Sequence, residues 1–341
     1  MSRVLRRRIA PADQYANAVK VLKRKMVFDA QRAAETRKLV SFGFLRGDLH
    51  MHTTWSDGWG SVAEMVETAE ARGLDFIFVT DHNTVRQKAE CRKYKNVWWG
   101  QEPGAGPHHI CILDNARRFR PSKDMKRDAE RLRAMGVFFF YPHPTGWFPG
   151  TYYTEAQMDA LAEAGPEFAM EVMNGIFRVD AFHDAWTEGS AALWDFYLMQ
   201  GYQVTGLGTT DAHFPLGVGN VWTGLIGARL SKRSVLNVLR SGKVYASSGP
   251  AINLTCGKTP MGGTARARSG KAAIVMECAD AYGLNWASII QDGREVKRFS
   301  LQGAQHLRER VALSVAPGGY VRAECAAMDD RRAYANPIYF A

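Results

Sequence analysis

The chain has 341 residues, 46% of them hydrophobic and 23% charged, with 44 Lys and Arg against 34 Asp and Glu for a formal net charge of +10. These are the proportions of a soluble globular protein, and no apolar run approaches the roughly 18 residues that would cross a bilayer, so a membrane-spanning chain is excluded. The cysteines (Cys91, Cys111, Cys256, Cys278, Cys325) are odd in number and lack Cys-x-x-Cys spacing, which excludes a disulfide framework and a zinc ribbon.

The positive charge is concentrated at one end: residues 1–47 hold twelve Lys and Arg against three acids. Such a segment either grips phosphates or forms the solvated face of a helix packed on the protein exterior. No apolar stretch follows the basic start, so the expected location is the cytoplasm. From Pro11 to about Leu39 the residues Tyr15, Val19, Leu22, Met26 and Phe28 recur at helical spacing. A strand over Leu45–His52 follows, then a helix begun by Ser61 with Glu64 as its capping-box partner and stopped by Gly73.

Alternation continues with strands at Phe76–Thr80, Val97–Glu102 and His109–Leu113, a helix over Ser122–Met135, and a strand from Val137 to Tyr141. Next come a helix over Glu155–Ala164, a strand over Phe168–Met173, an amphipathic stretch over Ala181–Met199 and a strand over Val204–Gly208. Strand and helix repeated in this way predict an α/β fold with a mostly parallel sheet, and closure into a barrel would gather the C-terminal strand ends on one face. After Gly242 the pattern changes to short β-prone runs split by Gly, Pro and Asp, which predicts an antiparallel β region.

The strand ends carry the chemistry. His50 and His52 are two apart, so on an extended strand both imidazoles reach the same side, and Asp57 follows within the next turn. Continuing along the chain, His82, Glu102, His109, His143, Asp211 and His213 occupy equivalent places. Nitrogen and oxygen donors without thiolates suit Zn, Mn or Fe, and nine donors exceed what one ion with open positions can use. Two or three divalent metal ions are expected, supplying a metal-bound hydroxide for hydrolysis without a covalent enzyme intermediate.

Asp48-Leu-His50-Met-His52 with Ser56-Asp57-Gly58, Thr80-Asp81-His82-Asn83-Thr84, Pro142-His143-Pro144 and Thr210-Asp211-Ala212-His213 together resemble the motif series of the PHP (polymerase and histidinol phosphatase) superfamily. Glu171-Val-Met-Asn174-Gly175, Ser241 to Pro250 and Asn336-Pro337-Ile338 resemble its carbaryl-hydrolase branch, the CehA/McbA type. The resemblance implies a distorted (β/α)7 PHP barrel followed by a small antiparallel β domain. It divides the chain into a basic helical arm (1–45), the metallohydrolase barrel (46–243) and a β-sandwich-like domain (244–341).

Carried over by motif, His50, His52, Glu102 and Asp211 would hold one metal, and Asp57, His82 and His213 a second. Glu102 would bridge to a third held by His109 and His143, with the neighbouring His108 left at the substrate side or surface. Asp81 is expected to orient a ligand or water, while Glu171, Asn174 and Arg178 are further candidate catalytic residues. Tyr141 stands where relatives often have Asn, which would alter the surroundings of His143.

Trp55, Trp59, Trp98, Trp99, Trp147, Phe148, Phe177, Trp186 and Phe214 lie near the strand ends and include candidates for lining an apolar pocket. Few basic residues lie beside the motifs, Arg178 and Arg46 being the nearest, which leans towards neutral ester or carbamate substrates over phosphoesters. The leading expectation is therefore a PHP-type metal-dependent hydrolase of a small phosphoester or of a carboxylic or carbamic ester. The alternative is a nucleotide or nucleic-acid phosphoesterase that uses the basic arm, and a third reading is a non-catalytic module. No membrane partner is expected.

Overall fold

A computed structural model describes residues 11–104, 109–122, 124–145, 153–163, 168–175, 185–267 and 269–341, with side chains from residue 19 onward. Helix α1 (Pro11–Leu39) is the predicted arm, but its buried stripe differs from the apolar one. Met26 is buried while Phe28 is exposed, and the docked face continues as the polar residues Asp29, Arg32 and Thr36. Those positions are three and four apart and so share one side of the helix. Ion pairs, rather than apolar burial, attach this end.

Strands β1 (Phe44–Asp48), β2 (Phe76–Val79) and β3 (Val97–Gln101) are parallel neighbours. Helix α2 (Val62–Ala71) joins the first two, and the short α3 (Lys88–Cys91) the second two. Ser61 closes the predicted capping box with Glu64, and Gly73 turns the chain after the helix with φ +69°.

Strand β4 (Cys111–Leu113) reverses direction against β3, and β5 (Phe138–Phe140), reached through α4 (Met125–Ala134), reverses again. After α5 (Glu155–Glu163), β6 (Phe168–Asn174) pairs in parallel with β7 (Val204–Thr209) across α6 (Ala185–Met199). Strand β8 (Trp222–Ile226) then returns antiparallel to β1, and α7 (Lys232–Arg240) follows it.

The strands of the expected barrel fall in two sheets. Strands β1 to β5 belong to a 14-stranded sheet, whereas β6 and β7 form a separate two-stranded one. Isolated bridges, Tyr141 to Met170 and Met51 to Ala212, meet the two flanks of that pair. Two features account for the breaks. β4 and β5 are three residues long, and the β1 ladder stops at Asp48, whose carboxylate takes the amides of Thr210 and Gly219. The architecture is mixed α/β, and at these bridges the Tyr141 amide bonds to the Ala169 carbonyl and the His52 amide to the Ala212 carbonyl.

The large sheet continues through β9 (Val244–Ser247), which bonds to β8 on one side and to the C-terminal strand on the other. Beyond it lie β10 (Ala251–Cys256), β11 (Thr259–Pro260), β12 (Thr264–Ala265), β13 (Lys271–Gln291), β14 (Arg294–Ser314), β15 (Tyr320–Ala327) and β16 (Arg332–Phe340). The separate short strands expected between 273 and 316 are instead a hairpin of two 21-residue strands. A register shift between Ala279 and Leu284 absorbs Asp280 and Gly283 as an irregularity, so those residues bend the strand without ending it. Among the described residues no helix is long and apolar enough to cross a membrane.

Candidate metal centre

The donors sit where the ladders end. Asp48, the last residue of β1, accepts from the Thr210 hydroxyl at 2.5 Å and from the amides of Thr210 and Gly219 at 3.1 Å. This fixes the segment carrying Asp211 and His213 beside the one carrying His50 and His52. Past Asp48 the chain folds into a tight turn: Ser56 and Gly58 both donate to the Thr53 carbonyl. Gly58 is required there, since a Cβ would stand 2.2 Å from the His52 carbonyl oxygen. Asp81 anchors the turn by accepting from the Thr53 amide (2.7 Å), the Thr53 hydroxyl (2.8 Å) and the Ser56 hydroxyl (2.8 Å).

Three overlapping donor sets result. His50, His52, Glu102 and Asp211 form one; His52, Asp57, His82 and His213 a second; His82, Glu102 and His109 a third. In the first set the Nε2 atoms of His50 and His52 are 3.0 Å apart, and each lies 3.2 and 3.1 Å from Glu102 Oε2 and 3.2 and 3.0 Å from Asp211 Oδ1, respectively. Glu102 Oε1 lies 2.8 Å from His109 Nδ1 and 3.2 Å from His143 Nε2, which brings His143 to the third set. His82 is 3.4 Å and His213 is 3.3 Å from Asp57 Oδ2. Every histidine and carboxylate proposed as a metal ligand thus stands in one continuous cluster with Glu102 at its centre.

The cluster fits metal ions on its own chemistry. Asp211 Oδ1 is buried without a hydrogen-bond partner among the described residues, and so is His52 Nδ1. An orphaned carboxylate oxygen facing two imidazole nitrogens is costly unless a cation joins them. The protonation pattern agrees: burial opposes the charge on His50 and His82, but the surrounding carboxylates outweigh it, raising His50 well above the usual range and His82 to about 9. Burial likewise opposes ionisation of Glu102, yet His50 and His109 hold its carboxyl well below the ordinary range. Protons here stand in for metal charge, and binding of ions would release them.

Exposure is graded across the sets. His50, His52 and Glu102 are buried, whereas the Asp57 side chain is 52% exposed and those of His82 and His213 are 24% and 18% exposed. The cluster opens to solvent on the Asp57 side.

The remaining candidates separate. Asp81 supports the Thr53 to Gly58 turn. Glu171 is fully buried and faces inward, towards His50 and the backbone of His143. Both oxygens of this candidate catalytic residue are turned to protein donors. Asn174 donates to Glu171 at 2.6 Å. Arg178 and His108 lie outside the described residues, as do Trp147, Phe148 and Phe177.

Arg46 does not reach the cluster: from the middle of β1 it is buried over the Trp222 ring and donates to the Arg72 carbonyl, and burial pushes it down to about 10. Tyr141 also points away, into the core against Tyr153 and Phe168. Trp98 packs on Phe76 and Phe78. Trp59 and Phe214 line a cavity of about 430 Å³ with Val19 and Lys23 of α1 and Glu64 and Glu67 of α2, which contains none of the metal donors. Sequence reasoning missed Asp48, Thr53, Thr209 and Thr210 as supports of the ligands. The clustering of Thr and Asp beside each ligand motif was their only signal.

Comparison with known proteins agrees with this geometry. Residues 48–128 match the PHP domain family. A stretch of 55 residues is 38% identical to the DNA polymerase/3'-5' exonuclease PolX of Bacillus subtilis; it covers 16% of this chain and only 10% of that protein's length. A two-domain protein from Bacteroides vulgatus, containing a predicted PHP-like metal-dependent phosphoesterase, superposes with a TM-score of 0.53 at 20% identity, covering 88% of this chain and 95% of that one. Histidinol phosphate phosphatase from Lactococcus lactis, solved with zinc, L-histidinol and phosphate, aligns over 58% of this chain and 93% of its own at 16% identity, but at a TM-score of 0.25 it adds nothing about this chain. Residues 48–128 therefore resemble a PHP domain, within a fold shared with the Bacteroides vulgatus two-domain protein.

Proposed function

We propose that the chain is a metal-dependent hydrolase of a small ester, belonging in chemistry to the CehA/McbA branch of the PHP superfamily and cleaving a carboxylic or carbamic ester or a phosphoester. The PHP domain over residues 48–128 supports a hydrolase. One observation carries the reading: six imidazoles and three carboxylates converge around Glu102, buried on one side and open on the other. Two or three divalent ions, zinc or manganese, would be held by His50, His52, Glu102 and Asp211, by Asp57, His82 and His213, and by Glu102, His109 and His143. Bound there, such ions supply a nucleophile from water at neutral pH and polarise the substrate's carbonyl or phosphoryl oxygen.

The chain's own residues do the rest. Substrate enters on the open Asp57 side, where His82 and His213 form the rim. Asp81 and Asp48 hold the two ligand segments in register, so the donors need no rearrangement when the ester arrives. Glu102, Asp57 and Asp211 pair with histidines throughout and with no Lys or Arg among the described residues. Among the described residues no guanidinium offers a phosphate the bidentate contact that suits it, which supports the carboxylic and carbamic esters. Arg32 and Arg37 of the arm are already paired with Asp280, Asp329 and Asp75, so the nucleic-acid alternative loses part of the charge it needs.

The test compares p-nitrophenyl phosphate with p-nitrophenyl N-methylcarbamate on protein loaded with zinc or manganese, since a shared leaving group isolates the choice between phosphorus and carbonyl carbon. Faster carbamate cleavage is expected. Faster phosphate cleavage would move the chain to the phosphoesterases, and no turnover of either by metal-loaded protein would overturn the ester class.

A further inference from the structure

Glu171 has an arrangement that simple core packing does not require. It lies at the middle of β6, on the inner side of the cluster, and is wholly buried, yet both carboxylate oxygens are used twice. Oε1 lies 2.7 Å from His50 Nδ1 and 2.5 Å from the Thr209 hydroxyl. Oε2 takes the backbone amide of His143 at 2.6 Å and the Asn174 amide at 2.6 Å. His143 itself has φ +35°, a left-handed conformation that a non-glycine residue adopts only when its surroundings impose it. The two ends of one carboxylate therefore touch two different donor sets: the side chain of His50, in the set with His52 and Asp211, and the backbone of His143, in the set with His109.

The geometry points to Glu171 as the positioning residue that couples these two metal subsites, by fixing the tautomer of His50 and the backbone of His143 together. A carboxylate accepts at both oxygens, so it receives Nδ1–H of His50 and N–H of His143 at once. With Nδ1 protonated, the lone pair of His50 lies on Nε2, which faces Glu102 and Asp211. Only an anion with two equivalent acceptor edges does both. A glutamine of the same shape has one acceptor edge and one donor edge. With its oxygen on His50, its NH2 faces the His143 amide, donor against donor, and the His143 loop is expelled. Turned over, its NH2 donates to His50 Nδ1, which places the imidazole proton on Nε2 and removes the lone pair that a metal needs. The isosteric change thus forces the loss of one subsite or the other.

This inference rests on the metal-centre reading, and its test is independent of turnover. Apo protein is titrated with Zn²⁺, bound metal is counted by plasma mass spectrometry, and the ring nitrogens of His50 are observed by long-range ¹H–¹⁵N correlation in zinc-loaded wild type. The expected wild-type pattern for His50 is a protonated Nδ1 with Nε2 as the zinc-coordinating nitrogen. Glu171→Gln is expected to retain the fold and to bind zinc about 10–100-fold more weakly at one subsite, with fewer ions retained at equal free zinc. Asn174→Ala, which leaves the His50 and His143 bonds in place, is expected to retain the wild-type count. Zinc coordinated through His50 Nδ1 in the wild type would overturn the proposal without any variant, and so would an unchanged zinc count and affinity in Glu171→Gln. If wild type binds zinc with this His50 tautomer but hydrolyses neither nitrophenyl ester, the substrate reading fails and the role of Glu171 stands.

Discussion

Arg32 offers the most direct measure of what attaches the basic helix. Its guanidinium is 3% exposed and donates from Nε and Nη2 to the fully buried Asp280 at 2.9 Å each, and from Nη1 and Nη2 to Asp329 at 2.5 and 3.0 Å. Burial works against its charge, but the two carboxylates outweigh that and keep it protonated. Arg32→Met would leave Asp280, whose carboxyl burial already pushes up, without its cation beside Asp329, and breaking a buried pair in this way costs about 3–5 kcal/mol. Asp329→Asn should cost much less, because Asp329 is 31% exposed and Arg32 keeps its bidentate partner. The double variant Arg32→Met with Asp280→Leu should recover most of the loss, since apolar residues of similar volume often replace a buried pair without penalty. Urea unfolding followed by tryptophan fluorescence reads all three. A loss below about 1 kcal/mol for Arg32→Met, the scale of an exposed pair, would refute the view that the arm is an internal element of the fold.

Three further outcomes follow from the geometry. His52→Ala removes a donor shared by two sets and should reduce ester hydrolysis by more than about 100-fold, beyond what loss of an outer partner gives; retention of activity by metal-loaded protein would show that the cluster is not the engine. Gly58→Ala drives a Cβ to 2.2 Å from the His52 carbonyl, so the turn carrying Asp57 must open; apo protein titrated with Zn²⁺ should bind one ion about 10–100-fold more weakly, and an undiminished metal count would show that the turn tolerates the group. Burial opposes ionisation of Glu277, but bonds from the Ser41 hydroxyl and amide, His306 and Arg308 hold its carboxyl below the ordinary range. A depressed carboxyl stabilises the fold above its unfolded pKa of about 4.3 and loses that contribution as pH falls through the folded value. The urea midpoint of Glu277→Gln should accordingly lie below that of wild type at pH 6 and converge with it on acidification; a gap that does not change with pH would refute the assignment.

How far the sequence disclosed this molecule depended on what each feature had to satisfy. Metal ligation demands particular residue types at strand ends, so His50, His52, His82, His143 and His213 were legible from local spacing, and the structure brings them within one cluster. The role of Glu171 was not legible: a carboxylate at a strand end reads as reaching for substrate, and only the three-dimensional path shows that His50 and His143 enclose it. The long hairpin was hidden for a different reason. Asp280 and Gly283 are strand breakers in one dimension, yet a register shift lets β13 pass through both. Strand direction was not legible, because alternation of strands and helices says nothing about it, and β4 runs against both neighbours.

The net charge misled in the most instructive way. A basic segment reads as solvated or anion-seeking when its carboxylate partners are hundreds of residues away in sequence. In the folded chain Arg32 meets Asp280 and Asp329, Arg37 meets Asp75, and Asp29 of the same helix receives Arg72 on one side and Arg331 on the other. Arg72 also donates to the carbonyl of Leu216, three residues beyond the metal donor His213. The arm is therefore joined through one ion pair, Asp29 to Arg72, and one backbone bond, Arg72 to Leu216, to the loop beside the open side of the cluster. Part of the charge in the basic segment is thus used inside the molecule, tying the helix to the β region and, through Asp29 and Arg72, to the loop that follows His213.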